Sequence, residues 1–204
     1  FTNSMAWQRE RFGWVPSETV TVMLKDAADY GNAHALVAPH TRLIFDVAPE
    51  SHAFETNTAS ERFYSTMNHE LIHLVQGDIS SSQDRYWRSI FTAPRWYIEG
   101  GAVFMETWMS GGLGRAQGGY DEMVFRAMVR DDVPFYDPLG LVSKGIRSDF
   151  QVGANAYLYG TRFMTWLAYR YTPEKVVAWI RRDEDSRRYY SDQFEHVFGL
   201  PLEQ

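Results

Sequence analysis

His69-Glu70-Leu71-Ile72-His73 (HELIH) sets what the rest of this 204-residue chain must supply. In an α-helix, residues four apart lie one above the other on one face, so two imidazoles at that spacing can grip a single tetrahedral metal ion. Glu70 stands beside them, near enough to take a proton from a metal-bound water without being a ligand itself. With 6 His and 13 Glu in the chain, random placement would produce this pattern in roughly one such chain in a hundred. The motif therefore needs a helix to carry it and a third ligand to complete it.

The helix is legible. Thr58-x-x-Glu61 has the pattern of a capping box, and Phe63, Met67, Leu71, Leu74 and Val75 follow at helical spacing, with Gly77 as a natural stop. His69, Glu70 and His73 fall off the apolar stripe, on a face flanked by Thr66 and Gln76. Upstream, residues 1–15 predict a short helix that packs Met5, Trp7, Phe12 and Trp14 and ends at Gly13 or before Pro16. Thr19–Leu24 and Thr41–Val47 are β-branched and apolar runs of strand length, separated by a turn-rich, small-residue stretch over 25–35. Residues 48–57 read as a loop.

Downstream, residues 78–93 are polar and loop-like, with one amphipathic turn through Tyr86, Trp87, Ile90 and Phe91. Pro94 opens a helix from Arg95 to about Met109, and the five glycines between 110 and 119 predict a flexible loop. That loop lacks the residue order of a phosphate cradle. Further helices are predicted over Tyr120–Arg130, Ala154–Tyr171, Pro173–Ile180 and Asp192–Phe198, the last stopped by Gly199. Residues 131–149 are irregular around an Asp137-Pro138 turn, and Arg181–Arg188 is a solvated mixed-charge stretch. The expected architecture is α+β and a single domain, residues 1–57 bearing strands and 58–204 mostly helical, with the HELIH helix at the junction. Because Leu200–Gln204 looks like the first turn of another helix, a piece of a longer chain is expected, with further domains of that chain as partners.

Composition narrows the function. The chain is 45% hydrophobic and 16% aromatic, enough for a sizeable core, and its net charge of −6 comes with no basic block. A nucleic-acid partner is excluded on that ground. No run of 18 apolar residues occurs, so no membrane span is expected. The absence of cysteine removes disulfides, thiolate metal sites and a Cys nucleophile, leaving His and carboxylates to hold any metal.

A catalytic zinc keeps three protein ligands and one open position. One familiar continuation would place a glycine at position 76 and a histidine at 79, where this chain has Gln76 and Ile79. Asp78 and Asp84 follow soon after the second histidine, but neither sits on a predicted helix that returns to the metal. Glu99 does. It is a lone charge in Trp96-Tyr97-Ile98-Glu99-Gly100-Gly101-Ala102, and an unpaired buried carboxylate is costly. Its partner is either a metal ion or a cation such as Arg95 or Arg115. The small residues after it would let two helices approach closely.

HELIH with Gly77-Asp78 behind it, followed by Trp96-x-x-Glu99-Gly100-x-Ala102, resembles the gluzincin clan of metallopeptidases. It is most similar to the peptidase-MA-like domains and more distantly to the aminopeptidase N family. The resemblance implies a zincin-like fold, one Zn2+ held by His69, His73 and Glu99, and Glu70 as general base. Tyr157-Leu158-Tyr159-Gly160 is similar to the family's Tyr-x-x-Gly segment, which implies Tyr157, with Tyr159 as fallback, as the oxyanion donor. Phe194–Gly199 resembles the family's closing helix. Asp78, Glu106 and Asn155 are candidates to hydrogen-bond the ligand imidazoles, Glu106 because it lies seven residues after Glu99 and so on the same helical face.

Two departures direct the expectation. The spacer between His73 and Glu99 is 25 residues (74–98), longer than in the aminopeptidases, and no Gly-x-Met-Glu-Asn segment precedes HELIH. An endopeptidase acting on a peptide or protein substrate is therefore favoured over an aminopeptidase. By the same resemblance the Leu43–Val47 strand is expected to form a sheet edge to which an extended peptide adds. The type of family and the first residue, Phe1, point to a periplasmic or secreted protein. The competing class is a non-catalytic zincin-like module that binds a peptide or protein within a larger assembly, and retention of Glu70 argues against it.

Overall fold

The computed structural model describes residues 1–27, 29, 31–48, 62–82, 93–112, 114–133 and 150–204. Thr58-x-x-Glu61, Asp84, the Tyr86–Phe91 turn, Asp137-Pro138 and the side chain of Asn155 lie outside the described residues. Among the described residues the chain is a mixed, mostly helical fold of seven α-helices and one three-stranded sheet. None of these helices is long and apolar enough to cross a membrane.

Helix α1 (Thr2–Phe12) stops at Gly13, which adopts the left-handed conformation that glycine tolerates without strain (φ 62°) and donates its N–H to the Arg9 carbonyl. The strands are β1 (Thr21–Lys25), β2 (Asn32–Leu36) and β3 (Arg42–Asp46), in the order β1-β3-β2. β1 runs parallel to β3, with Met23 opposite Ile44, and β2 runs antiparallel to it, with His34 opposite Ile44.

Two expectations fail here. The turn-rich stretch over 25–35 contains the start of β2, whose Asn-Ala-His-Ala-Leu sequence carries no β-branched residue and is held by the ladder that β3 offers. β3 is also the central strand, not an edge, so no peptide can add along it. Leu43, Ile44 and Phe45 are all buried in succession, the continuous apolar pattern of a strand covered on both faces.

Helix α2 (Arg62–Ser82) carries HELIH and runs past Gly77. That glycine is no helix stop. A Cβ there would stand 2.6 Å from Val37 Cγ1, so its absence lets the helix lie against the chain leaving β2. Asp78, one residue on, accepts hydrogen bonds from Trp14 Nε1 at 2.7 Å, from the Ser17 backbone N–H at 3.0 Å and from the Ser17 hydroxyl. It ties the N-terminal segment to α2.

Helix α3 (Arg95–Met109) lies between α2 and α5 (Phe150–Arg170) and packs on both. Its crossing with α5 is backbone against backbone. A Cβ on Gly100 would stand 2.6 Å from Gly160 Cα, and one on Gly160 would overlap the Trp96 carbonyl oxygen. The glycine-rich segment after α3 is not an open loop. The Gly112 N–H donates to the Thr107 carbonyl at 2.9 Å, the Ala116 N–H to Thr107 Oγ1 at 3.0 Å, and Gly114 lies directly on the Thr107 backbone. The chain is thereby folded back onto α3 before a 3-10 turn (Arg115–Gln117) and α4 (Gly119–Arg130).

Helices α6 (Pro173–Ile180) and α7 (Tyr190–Phe198) close the other side of α3. The Thr172 side chain caps α6 by accepting from the Lys175 N–H. Trp96, Tyr97, Phe163, Trp179, Phe194 and Phe198 form an aromatic core there, with Tyr97 and Trp179 centroids 4.7 Å apart and Phe194 and Phe198 4.5 Å apart.

The α3–α5 crossing predicts a sharp intolerance. G160A should lower unfolding stability by about 1–3 kcal/mol or more, as overpacking does, measured by urea denaturation. G119A, where nothing lies within 4 Å of the added Cβ, should change it little.

Candidate metal centre

α2 supplies His69 and His73, one turn apart on one face, and α3 supplies Glu99. His73 Nε2 lies 3.0 Å from His69 Nε2 and 3.2 Å from Glu99 Oε2, and His69 Nε2 lies 3.4 Å from the same oxygen. Metal bonds of about 2.0–2.1 Å at the tetrahedral angle would set ligand atoms about 3.3 Å apart. The three atoms therefore converge as a group that could hold a metal ion. His69 is buried, while the side chains of His73 and Glu99 keep 18% and 13% exposure, so the centre is reached from that side. Glu70 is buried beside His69 on α2 and is not one of the converging groups.

The electrostatics without a metal show how strongly these groups interact. Burial disfavours a charged His69 and so does Arg115, yet the hydrogen bonds to Glu106 and Glu99 overcome both and push its pKa up to about 9. Burial likewise works against ionised Glu99, but His69 and His73 hold its carboxyl well below the usual range. Two imidazoles and a carboxylate crowded this closely share protons that a metal ion would displace.

Outer partners orient the two imidazoles. His69 Nδ1 lies 2.9 Å from Glu106 Oε2, and Glu106 is fully buried. Arg115 forks onto that carboxylate, Nε to Oε1 at 2.9 Å and Nη2 to Oε2 at 2.8 Å, with its backbone N–H adding a third bond at 3.2 Å. Burial would raise the Glu106 pKa, but Arg115 outweighs it and brings the group down to about 2. Arg115 Nη2 also lies 2.8 Å from His69 Nδ1; with Nδ1 protonated, only the carboxylate can accept from it. On the other imidazole, His73 Nδ1 lies 3.0 Å from Gln76 Oε1.

Tyr157 sits at the centre, its ring stacked beside His69 at 6.1 Å. Its hydroxyl accepts from Arg95 Nη2 at 3.3 Å, and Arg95 Nε lies 3.5 Å from Glu99 Oε1. Burial and the Glu99 charge raise the phenol to about 12 against the pull of Arg95 and Arg115. Tyr159 faces away: it is buried against Phe125 at 5.4 Å with its hydroxyl toward Met128 Sδ. Of the candidates to orient the imidazoles, Glu106 reaches His69, whereas Asp78 is engaged with Trp14 and Ser17. The sequence does not single out Gln76 and Arg115 as imidazole partners. The signals it carries are that a carboxylate buried at Glu106 demands a cation and that Gln76 falls three residues after His73.

Comparison with protein-family models, with curated proteins and with solved structures gives no match.

Because His69 holds a proton up to about pH 9 in the metal-free protein, metal binding must expel it. Apparent affinity should rise about tenfold per pH unit on approach to that value and level off above it. Binding isotherms between pH 6 and 10 check this, and a flat profile contradicts it.

Proposed function

We propose that this chain is a zinc-dependent peptidase with a zincin-like arrangement, cleaving peptide bonds within a peptide or protein substrate. The observation that carries the proposal is the convergence of His69 Nε2, His73 Nε2 and Glu99 Oε2 at tetrahedral spacing, with a further buried carboxylate, Glu70, left outside the ligand set. Two imidazoles and one carboxylate suit zinc better than the all-oxygen surroundings favoured by calcium or magnesium. A structural zinc site closes with four protein ligands; among the described residues this one gathers three, which leaves a position for substrate.

Bound there, zinc would supply Lewis acidity, activating a water and polarising the scissile carbonyl. Glu70 takes the proton from the attacking water and returns it to the departing amine. Tyr157 donates its phenolic hydrogen to the oxygen on which negative charge develops. Arg95 supports this role by donating to the Tyr157 oxygen, which leaves the phenolic hydrogen free to point at substrate. The raised Tyr157 pKa keeps that hydrogen in place at neutral pH.

Cleavage of a peptide library, with and without a chelator, tests the function. E70Q should keep its zinc and lose about 10²–10⁴-fold in kcat, the usual contribution of a general base. Y157F should lose about 10²–10³-fold with little change in zinc content. A zinc-loaded wild type that cleaves nothing in the library, or an E70Q variant at the wild-type rate, overturns the proposal.

A further inference from the structure

We infer that Gln76 is a positioning residue of the metal centre: it holds His73 in the tautomer whose bare Nε2 faces the ion and ties that ligand to the helix bearing Glu99. The inference rests on His73 and Glu99 being ligands. The side-chain amide has one end that only accepts and one that only donates. The Ile98 carbonyl, 3.2 Å from Gln76 Nε2, can only accept, so the NH₂ end must face it. Oε1 is thereby turned to His73 Nδ1 at 3.0 Å, and an oxygen there requires Nδ1 to carry the hydrogen. A neutral imidazole has one N–H, so with an ion bound Nε2 has its lone pair free for that ion, between His69 Nε2 and Glu99 Oε2. Turning the amide over would set oxygen against oxygen at Ile98.

The placement fits this role. Gln76 is buried, so water does not compete for its two bonds. Ile98 directly precedes Glu99, so a single amide fixes both the ring of one ligand and the backbone beside the other. The two imidazoles are thus held differently, His69 by the charged Glu106–Arg115 pair and His73 by a neutral amide.

The test compares Q76L with Q76M, both of which remove the two bonds, Q76M while keeping nearly the volume of the amide. Zinc affinity is read by chelator competition, and the His73 ring by imidazole ¹⁵N and N–H proton NMR of the zinc-loaded protein. Both variants should bind zinc about 10–100-fold more weakly, and the His73 Nδ1–H resonance, downfield and slow to exchange in wild type, should lose that protection in both. Unchanged affinity in either variant, or a zinc-loaded wild type whose His73 binds through Nδ1 or shows no protected Nδ1–H, overturns the inference. Should Q76L fail to fold by circular dichroism, Q76M alone decides by the same two readings. A wild type that binds no zinc sinks the metal reading instead.

Discussion

The structure depends on the backbone contact between α3 and α5 at Gly100 and Gly160. Any side chain at either position would push the helices apart, and Glu99 and Tyr157 sit on either side of that contact, within a turn of it. The crossing therefore sets how far Tyr157 stands from the face that carries Glu99, and so how close it comes to His69 on α2. The aromatic core around Trp96 and Trp179 holds α3 from behind. Packing and site geometry are here one constraint, since the helix that carries Glu99 is also the one held by that core.

Around that frame runs a chain of charge, Arg115 to Glu106, Glu106 to His69, and Glu99 between the imidazoles and the exposed Arg95, with Glu106 and His69 its buried links. Replacing a buried ion pair with apolar residues is often neutral for stability, whereas removing one partner costs about 3–5 kcal/mol. Stability alone thus gives little reason for Glu106 and Arg115 to be where they are. Their contact with His69 does, because an imidazole that must keep a hydrogen on Nδ1 needs an acceptor fixed in place. The return of the chain over Thr107, through Gly112 and Gly114, is what delivers Arg115 to that carboxylate.

Much of this was legible from residue patterns, for reasons that can be named. Helices Arg95–Met109 and Pro173–Ile180 have the bounds that their flanking proline, threonine and periodicity imply. Glu99 stood out as a charge in an apolar run, and Glu106 by its helical phase. What failed did so where tertiary contact overrode local signal. β2 is built of alanine, asparagine and histidine and exists because β3 offers it a partner. Gly77 reads as a stop but serves a close approach to Val37, and the glycines after α3 read as slack but make a tight return. β3 carries its central position in three consecutive buried residues, a pattern visible in Leu43-Ile44-Phe45 yet ambiguous without the sheet order. Gln76 and Arg115 gave the weakest signal, since the use of a polar side chain depends on the atom it meets.

The central claim is that His69, His73 and Glu99 together hold one zinc ion. Elemental analysis of the purified chain alongside E99A tests it most directly. We expect close to one zinc per wild-type chain after dialysis and its loss from E99A with the helical fold retained. A wild-type chain that carries no zinc after loading, or an E99A chain that keeps it as tightly, would contradict it.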